Sequence, residues 1–223
     1  MGQVKRGNEL WVANVGDSRC VMAQVEQRRG APALRPVELS RDHKPNDREE
    51  MARVKAMGGA ISFPRVWPAC GSASASISIS MELTACLSSG FAGQVEPSRA
   101  GMHGAYMGPH RVWVRKQQEG GLAMARSLGD LRLQRVGVTD EPEIKRLNVN
   151  KETDKFIVLA SDGVWDHLDN QRVVDIAAKH LDTSAAKAAA AVSDAARKQW
   201  AIQGGGYVDD ITTVVVKLDG GSA

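Results

Sequence analysis

FIVLASDGVWDHL, residues 156–168, runs five apolar residues straight into Ser161, Asp162 and Gly163, and a second acid, Asp166, follows four positions after Asp162. The apolar run reads as a buried strand. Ending such a strand on a carboxylate is costly unless the charge is paired or coordinates a metal. Taken alone, the stretch is a turn, because Asp bonds its own backbone and Gly accepts positive φ. The fold and the function therefore turn on whether other segments send carboxylates to the same place.

Composition narrows the field first. The chain has 223 residues, 43% of them hydrophobic, enough for one or two globular domains with an ample core. Lys and Arg number 29 against 26 Asp and Glu, and the net charge of +3 is too small to point to nucleic acid or an anionic membrane. Cys20, Cys70 and Cys86 form no CxxC pair and read as free thiols in a reducing compartment. No apolar run reaches the roughly 18 residues of a membrane span, and MGQVKR has no signal core. A cytoplasmic or nuclear monomer is expected.

Outward from the opening stretch, ELWVANV (9–15) reads as a strand ending on Gly16-Asp17-Ser18, with CVMAQV (20–25) its partner and a further short strand at 36–40. PNDREEMARVKAMGG reads as a helix capped by Asn46 or Asp47, with Glu49 and Glu50 in its positive first turn and Met51, Val54 and Met57 toward the core. Helices are expected from about Asn170 to Leu181, after the cap candidate Asp169, and over 184–200 before Gly204-Gly205-Gly206; the strand ITTVVVKL closes the pattern. Strands that adjoin one another or alternate with helices fit a layered α/β or α+β fold. Residues 62–107 stand apart: nine Ser, four charges and the run SASASISIS mark a low-complexity surface insertion.

Each probable core strand ends on acid. Asp17 follows ELWVANV, Asp162 follows FIVLA with Asp166 one helical turn beyond, and Asp209 and Asp210 precede ITTVVVKL. If these strands are neighbours, the acids meet at one rim. Carboxylates gathered without His or Cys suit hard cations such as Mg²⁺ or Mn²⁺. The five histidines show no metal spacing, and His43 reads as a structural side chain.

VANVGDSR (12–19), LSRDHKP (39–45), GGLAMARSLGD (120–130), LASDGVWD (159–166) and DDITTVVV (209–216) occur in an order that resembles the metal-dependent Ser/Thr protein phosphatases of type 2C, the PPM family. The resemblance implies an α+β fold, a layered β-sandwich flanked by helices, with a binuclear Mg²⁺ or Mn²⁺ centre at one end. It implies that Asp162 and Asp209 are metal ligands and that Asp17 and Asp166 serve a further, weaker site. Asp210 stands where the family usually has Asn. It places 62–107 in a variable flap, and it implies phosphorylated proteins as substrates.

The family's Asp-Gly-His-Gly motif, which supplies a bridging Asp and the proposed general acid His, has no counterpart in this sequence, and its phosphate-binding Arg is also missing. Gly101-Met102-His103-Gly104 and Asp42-His43 match neither its sequence nor its order. Residues 1–223 are therefore expected to form a partial type 2C domain, incomplete at the N-terminus. Two readings stay open: a truncated phosphatase of weak or no activity, and a pseudophosphatase that docks phosphoproteins.

Overall fold

A computed structural model describes residues 1–28, 31–62, 109–114, 121–203 and 207–218. Among these described residues nine strands and five helices run in the order β1 (Gly2–Arg6), β2 (Glu9–Asn14), β3 (Arg19–Arg28), β4 (Ala31–Glu38), α1 (Arg48–Ala56), β5 (Ala60–Ser62), β6 (Arg111–Trp113), α2 (Leu131–Gln134), β7 (Glu143–Asn148), β8 (Asp154–Ala160), α3 (Asp162–Trp165), α4 (Asn170–Leu181), α5 (Ala185–Gln203) and β9 (Thr213–Lys217). The proposed insertion lies outside the described residues, apart from Ser62 at the end of β5. Among the described residues no helix is long and apolar enough to cross a membrane.

The chain divides into two compact units. The first comprises residues 1–42, 141–201 and 207–223. It holds a three-stranded antiparallel sheet, β1-β2-β7, and a four-stranded one, β4-β3-β8-β9. The side-chain period of two explains why FIVLA does not alternate. Phe156, Val158 and Ala160 join one core with Val173, Val174 and Ala177 of α4 and Ala188, Val192 and Ala196 of α5. Ile157 and the partly buried Leu159, from the opposite face, meet Leu10 and Val12 of β2, together with Cys20 and Met22. β8 is thus covered on both sides, and the layers run sheet, sheet, helices. Full burial of a side chain such as Phe156 contributes about 1.5–3 kcal/mol.

β2 behaves differently. Leu10 and Val12 point inward, while Trp11 is 38% exposed beneath the Arg146 guanidinium, 4.9 Å from the ring centroid. Cys20 is fully buried, and burial pushes its thiol up to about 12, with Lys145 opposing.

The second unit comprises residues 43–140 and 202–206. The predicted helix forms as α1, with Asp47 at its cap accepting from the amides of Glu49 and Glu50. Its buried face is only partly the one expected: Val54 is buried as read from the sequence, but the two methionines are not its companions. Met57 is 52% exposed and Met51 only half-buried, whereas Glu50 and Val54, one turn apart, are fully buried. Arg126 grips Glu50 through Nε and Nη2 at 3.0 and 2.7 Å, and Arg53 donates to it at 2.6 Å. Burial pushes the Glu50 carboxyl up, but the hydrogen bonds and charges of the two guanidiniums outweigh it and hold the carboxyl at about 2. Val54 packs with Val112, Leu133, Val136 and Val138. Gly137 lies against this helix at φ +96°, where a Cβ would stand 2.7 Å from Val54 Cα. His43 is fully buried, and its carbonyl accepts from the Ala125 amide at 2.8 Å.

Candidate metal and phosphate site

Strand register determines where the acids go. The ladder between β3 and β8 ends at Arg19↔Ala160, and the ladder between β8 and β9 ends at Ala160↔Thr213. The segments leaving those last pairs are Gly16–Ser18, Ser161–Asp162 and Asp210–Thr212, so all three depart from the same end of the four-stranded sheet. Asp17 sits in the first, in a turn where Gly16 adopts φ +102°.

The second and third segments are laced together. Ser161 precedes α3 in a capping position, yet its hydroxyl makes no cap bond. It donates instead to the Asp210 carbonyl at 2.8 Å and accepts from the Thr212 amide at 3.0 Å. The Ser161 amide donates to the Thr212 carbonyl at 3.1 Å. Gly163 is needed for close approach: a Cβ there would lie 2.4 Å from the Asp210 carbonyl oxygen. Asp162 and Asp209 are thereby held in one loop cluster. Their proximity registers on Tyr207, whose phenol is pushed up first by the charge of Asp209, then by desolvation, by a hydrogen bond to Asp209 and by the charges of Asp210 and Asp162. The Asp209 carboxylate also accepts from the Asp210 amide at 2.7 Å.

Asp166 lies at the far end of α3, where its amide donates to the Asp162 carbonyl at 2.8 Å. Its charge reaches Arg19, which also stacks 5.2 Å above the centroid of Trp165. Arg19 binds Asp42 through two parallel contacts of 2.9 and 2.8 Å and donates to Asn170 at 2.8 Å. The hydrogen bonds it donates to Asp42 foremost push the guanidinium pKa further up, burial opposing. This pair ties GDSR to RDH, two of the blocks noted in the sequence. The buried amide of Asn14 adds a link that the sequence did not flag. It donates to the carbonyls of Gly16 and Arg41 at 3.2 and 2.8 Å, while its Oδ1 has no hydrogen-bond partner among the described residues.

The donor chemistry fits a hard divalent cation: carboxylates at one sheet end, with an orphaned buried amide oxygen in the strand just before the Asp17 turn. The number does not make a closed cage. Among the described residues no three His, Cys, Asp or Glu side chains form a group that could hold a metal ion. Any such ion would need further oxygen ligands.

With the site laid out, its relatives can be weighed. The family model of protein phosphatase 2C matches residues 3–203, and the chain belongs to that family. It is 36% identical over 197 residues to probable protein phosphatase 2C 12 of Oryza sativa subsp. japonica, covering 88% of this chain and 39% of that protein. It is 33% identical over 218 residues to probable protein phosphatase 2C 1 of Arabidopsis thaliana, covering 97% of this chain and 37% of that one. The chain thus spans well under half the length of these relatives. Its fold is similar to a serine-threonine phosphatase 2C from Toxoplasma gondii, with TM-score 0.64 and 20% identity over 96% of this chain and 56% of the other. A C. elegans sex determining protein follows at TM-score 0.56 and 18% identity, covering 95% and 37%.

Proposed function

We propose that this chain is part of a metal-dependent phosphatase that hydrolyses phosphoserine and phosphothreonine in proteins. Asp162 and Asp209 would hold Mg²⁺ or Mn²⁺, with Asp17 and Asp166 serving a further cation. The observation that carries this reading is the convergence of the three acid-bearing segments at one end of the four-stranded sheet, in a member of the protein phosphatase 2C family. When bound, the metal would lower the pKa of a water and neutralise phosphoryl charge. The chain's own part is to fix the two carboxylates in place: Ser161 and Gly163 lock the Asp162 turn onto the segment that carries Asp209 and Asp210. Residues 62–107 form a flap beside this site in the same proposal, the chain acts as a monomer, and it works in the cytoplasm or nucleus.

The 223 residues by themselves are weakly active or inactive, because the sequence holds no Asp-Gly-His-Gly motif and the four acids leave the cation short of ligands. Mn²⁺-dependent hydrolysis of p-nitrophenyl phosphate and of a phosphothreonine peptide tests this, with Asp162→Asn alongside. Turnover at least about 10²-fold below that of a complete phosphatase is expected, since single groups at such sites are worth about 10²–10³ in rate. Full turnover abolished by Asp162→Asn would overturn the weak-activity part. The same ligand shortage favours a second reading, a phosphoprotein-binding module without catalysis. Tight binding of a phosphothreonine peptide that is unaffected by Mn²⁺ and by Asp162→Asn would select it.

A further inference from the structure

Trp200 lies on α5 and is 1% exposed. The helix around it is built mostly of Ala, and its other buried residues, Ala188, Val192 and Ala196, recur every four residues against the apolar core. Trp200 continues that stripe but meets something else. Its indole Nε1 donates to the carbonyl of Gly163 at 2.7 Å, inside the turn between Asp162 and Asp166. One edge-on contact, with centroids 4.1 Å apart at 76°, is made with His167, the residue after Asp166. A second, 5.6 Å at 80°, is made with Tyr207, two residues before Asp209. A single rigid ring therefore touches both acid-bearing segments. Gly163 presses from its other side on the Asp210 backbone.

We propose that Trp200 is a positioning residue that sets the spacing of Asp162 and Asp166 relative to Asp209, with the Gly163 carbonyl and the Tyr207 ring as its two points of purchase. The proposal rests on the metal-site reading above for its consequence, though not for its geometry. Packing alone would call for any bulky apolar side chain at position 200. Positioning calls for the N–H as well, because the carbonyl it binds is that of Gly163, the residue immediately after Asp162. An indole donor with two edge contacts leaves the turn little freedom to rotate. Supporting groups that orient ligands in this way typically change metal affinity by about 10–100-fold.

The test uses the full chain and two conservative variants. Trp200→Phe keeps a ring against His167 and Tyr207 and removes the donor; Tyr207→Phe keeps the ring contact and removes the hydroxyl near Asp209. Amide hydrogen exchange in the absence of metal is the first readout. Trp200→Phe should speed exchange at residues 161–166 and at Asp210 and Thr212 together, roughly fivefold to tenfold for one lost hydrogen bond, with the global unfolding midpoint little changed. Tyr207→Phe should speed it at Asp210 while 161–166 keep their rates. Exchange that quickens only in 161–166, or uniformly across the chain, would overturn the positioning role and leave Trp200 a packing residue. Mn²⁺ alone, titrated by electron paramagnetic resonance, is the second readout. Trp200→Phe should weaken binding about 10–100-fold. Unchanged Mn²⁺ affinity in Trp200→Phe would overturn the proposal. If the unsubstituted chain binds no Mn²⁺, the metal reading falls, and the exchange pattern still decides whether one indole governs both segments.

Discussion

Two cores in this chain are held by different means. The sandwich unit encloses two apolar clusters on either face of the four-stranded sheet, and its interior residues are almost all hydrocarbon. Among the described residues the smaller unit has one apolar cluster of five buried residues, and beside it Glu50 is buried without exposure between Arg126 and Arg53. Arg53 further donates to the carbonyls of Gly137 and Ala125 at 2.9 and 2.8 Å, so the ion cluster also gathers backbone. Apolar burial is indifferent to pH. A buried carboxylate held by two guanidiniums is not, and breaking it by removing one partner is worse than never having built it. The two units should therefore fail under different conditions.

Arg126→Leu tests the charged core most severely. It leaves Glu50 buried with one of its two guanidinium partners and should destabilise the smaller unit by about 3–5 kcal/mol, read by urea unfolding. A double variant, Arg126→Leu with Glu50→Leu, should recover most of that loss. No recovery would show that packing, rather than the stranded charge, is what matters. In the sandwich, Phe156→Ala should cost about 3–5 kcal/mol through cavity formation, and the loss should be the same at pH 7 and pH 4.

Acid sharpens the contrast. The Glu50 carboxyl sits at about 2 in the folded chain against an ordinary 4.5. Its stabilisation is complete above about pH 4.5 and is lost as the pH falls toward 2, because the unfolded chain takes up the proton first. The difference amounts to about 3 kcal/mol, and it should appear as lower protection factors, corrected for the intrinsic exchange rate, for α1 amides at pH 3 while β8 amides keep theirs. Equal loss of protection in α1 and β8 would erase the distinction between the two cores. A smaller effect is expected at the cap of α1: Asp47→Ala removes the acceptor for two amides and should cost about 1 kcal/mol. Smallest is Trp11→Ala on the open face of the three-stranded sheet. It removes an exposed contact with Arg146 worth about 0.5–1 kcal/mol, measurable as a minor shift in urea midpoint.

How much of this was legible in the sequence depends on how each residue was encoded. β8 and the acids after it could be read because an unbroken apolar run followed by Ser-Asp-Gly marks both a buried strand and its end. β1 and β7 escaped notice: GQVKR and EIKRLN are largely polar strands of a half-exposed sheet, so neither offers a strong alternation. The burial of Glu50 was hidden for a related reason, although its place in the first turn of α1 was read correctly. Two adjacent acids in a first helical turn look like solvated partners of the helix dipole, and only the distant Arg126 reveals that one of them is interior. Trp200 gave a faint signal, a lone aromatic near the end of an Ala-rich helix, but its three partners come from two segments that the sequence does not bring together.

Cys20 turns its own burial into a clock. With its pKa pushed up to about 12, only about one thiol in 10⁴ is ionised at pH 8, and no reagent reaches it through the closed sheets. Alkylation at Cys20, isolated from Cys70 and Cys86 by peptide mapping, therefore counts separations of the two sheets rather than surface chemistry. Its rate in dilute iodoacetamide would measure how often the sandwich comes apart in a cell-like solution, without denaturant and without any activity to assay.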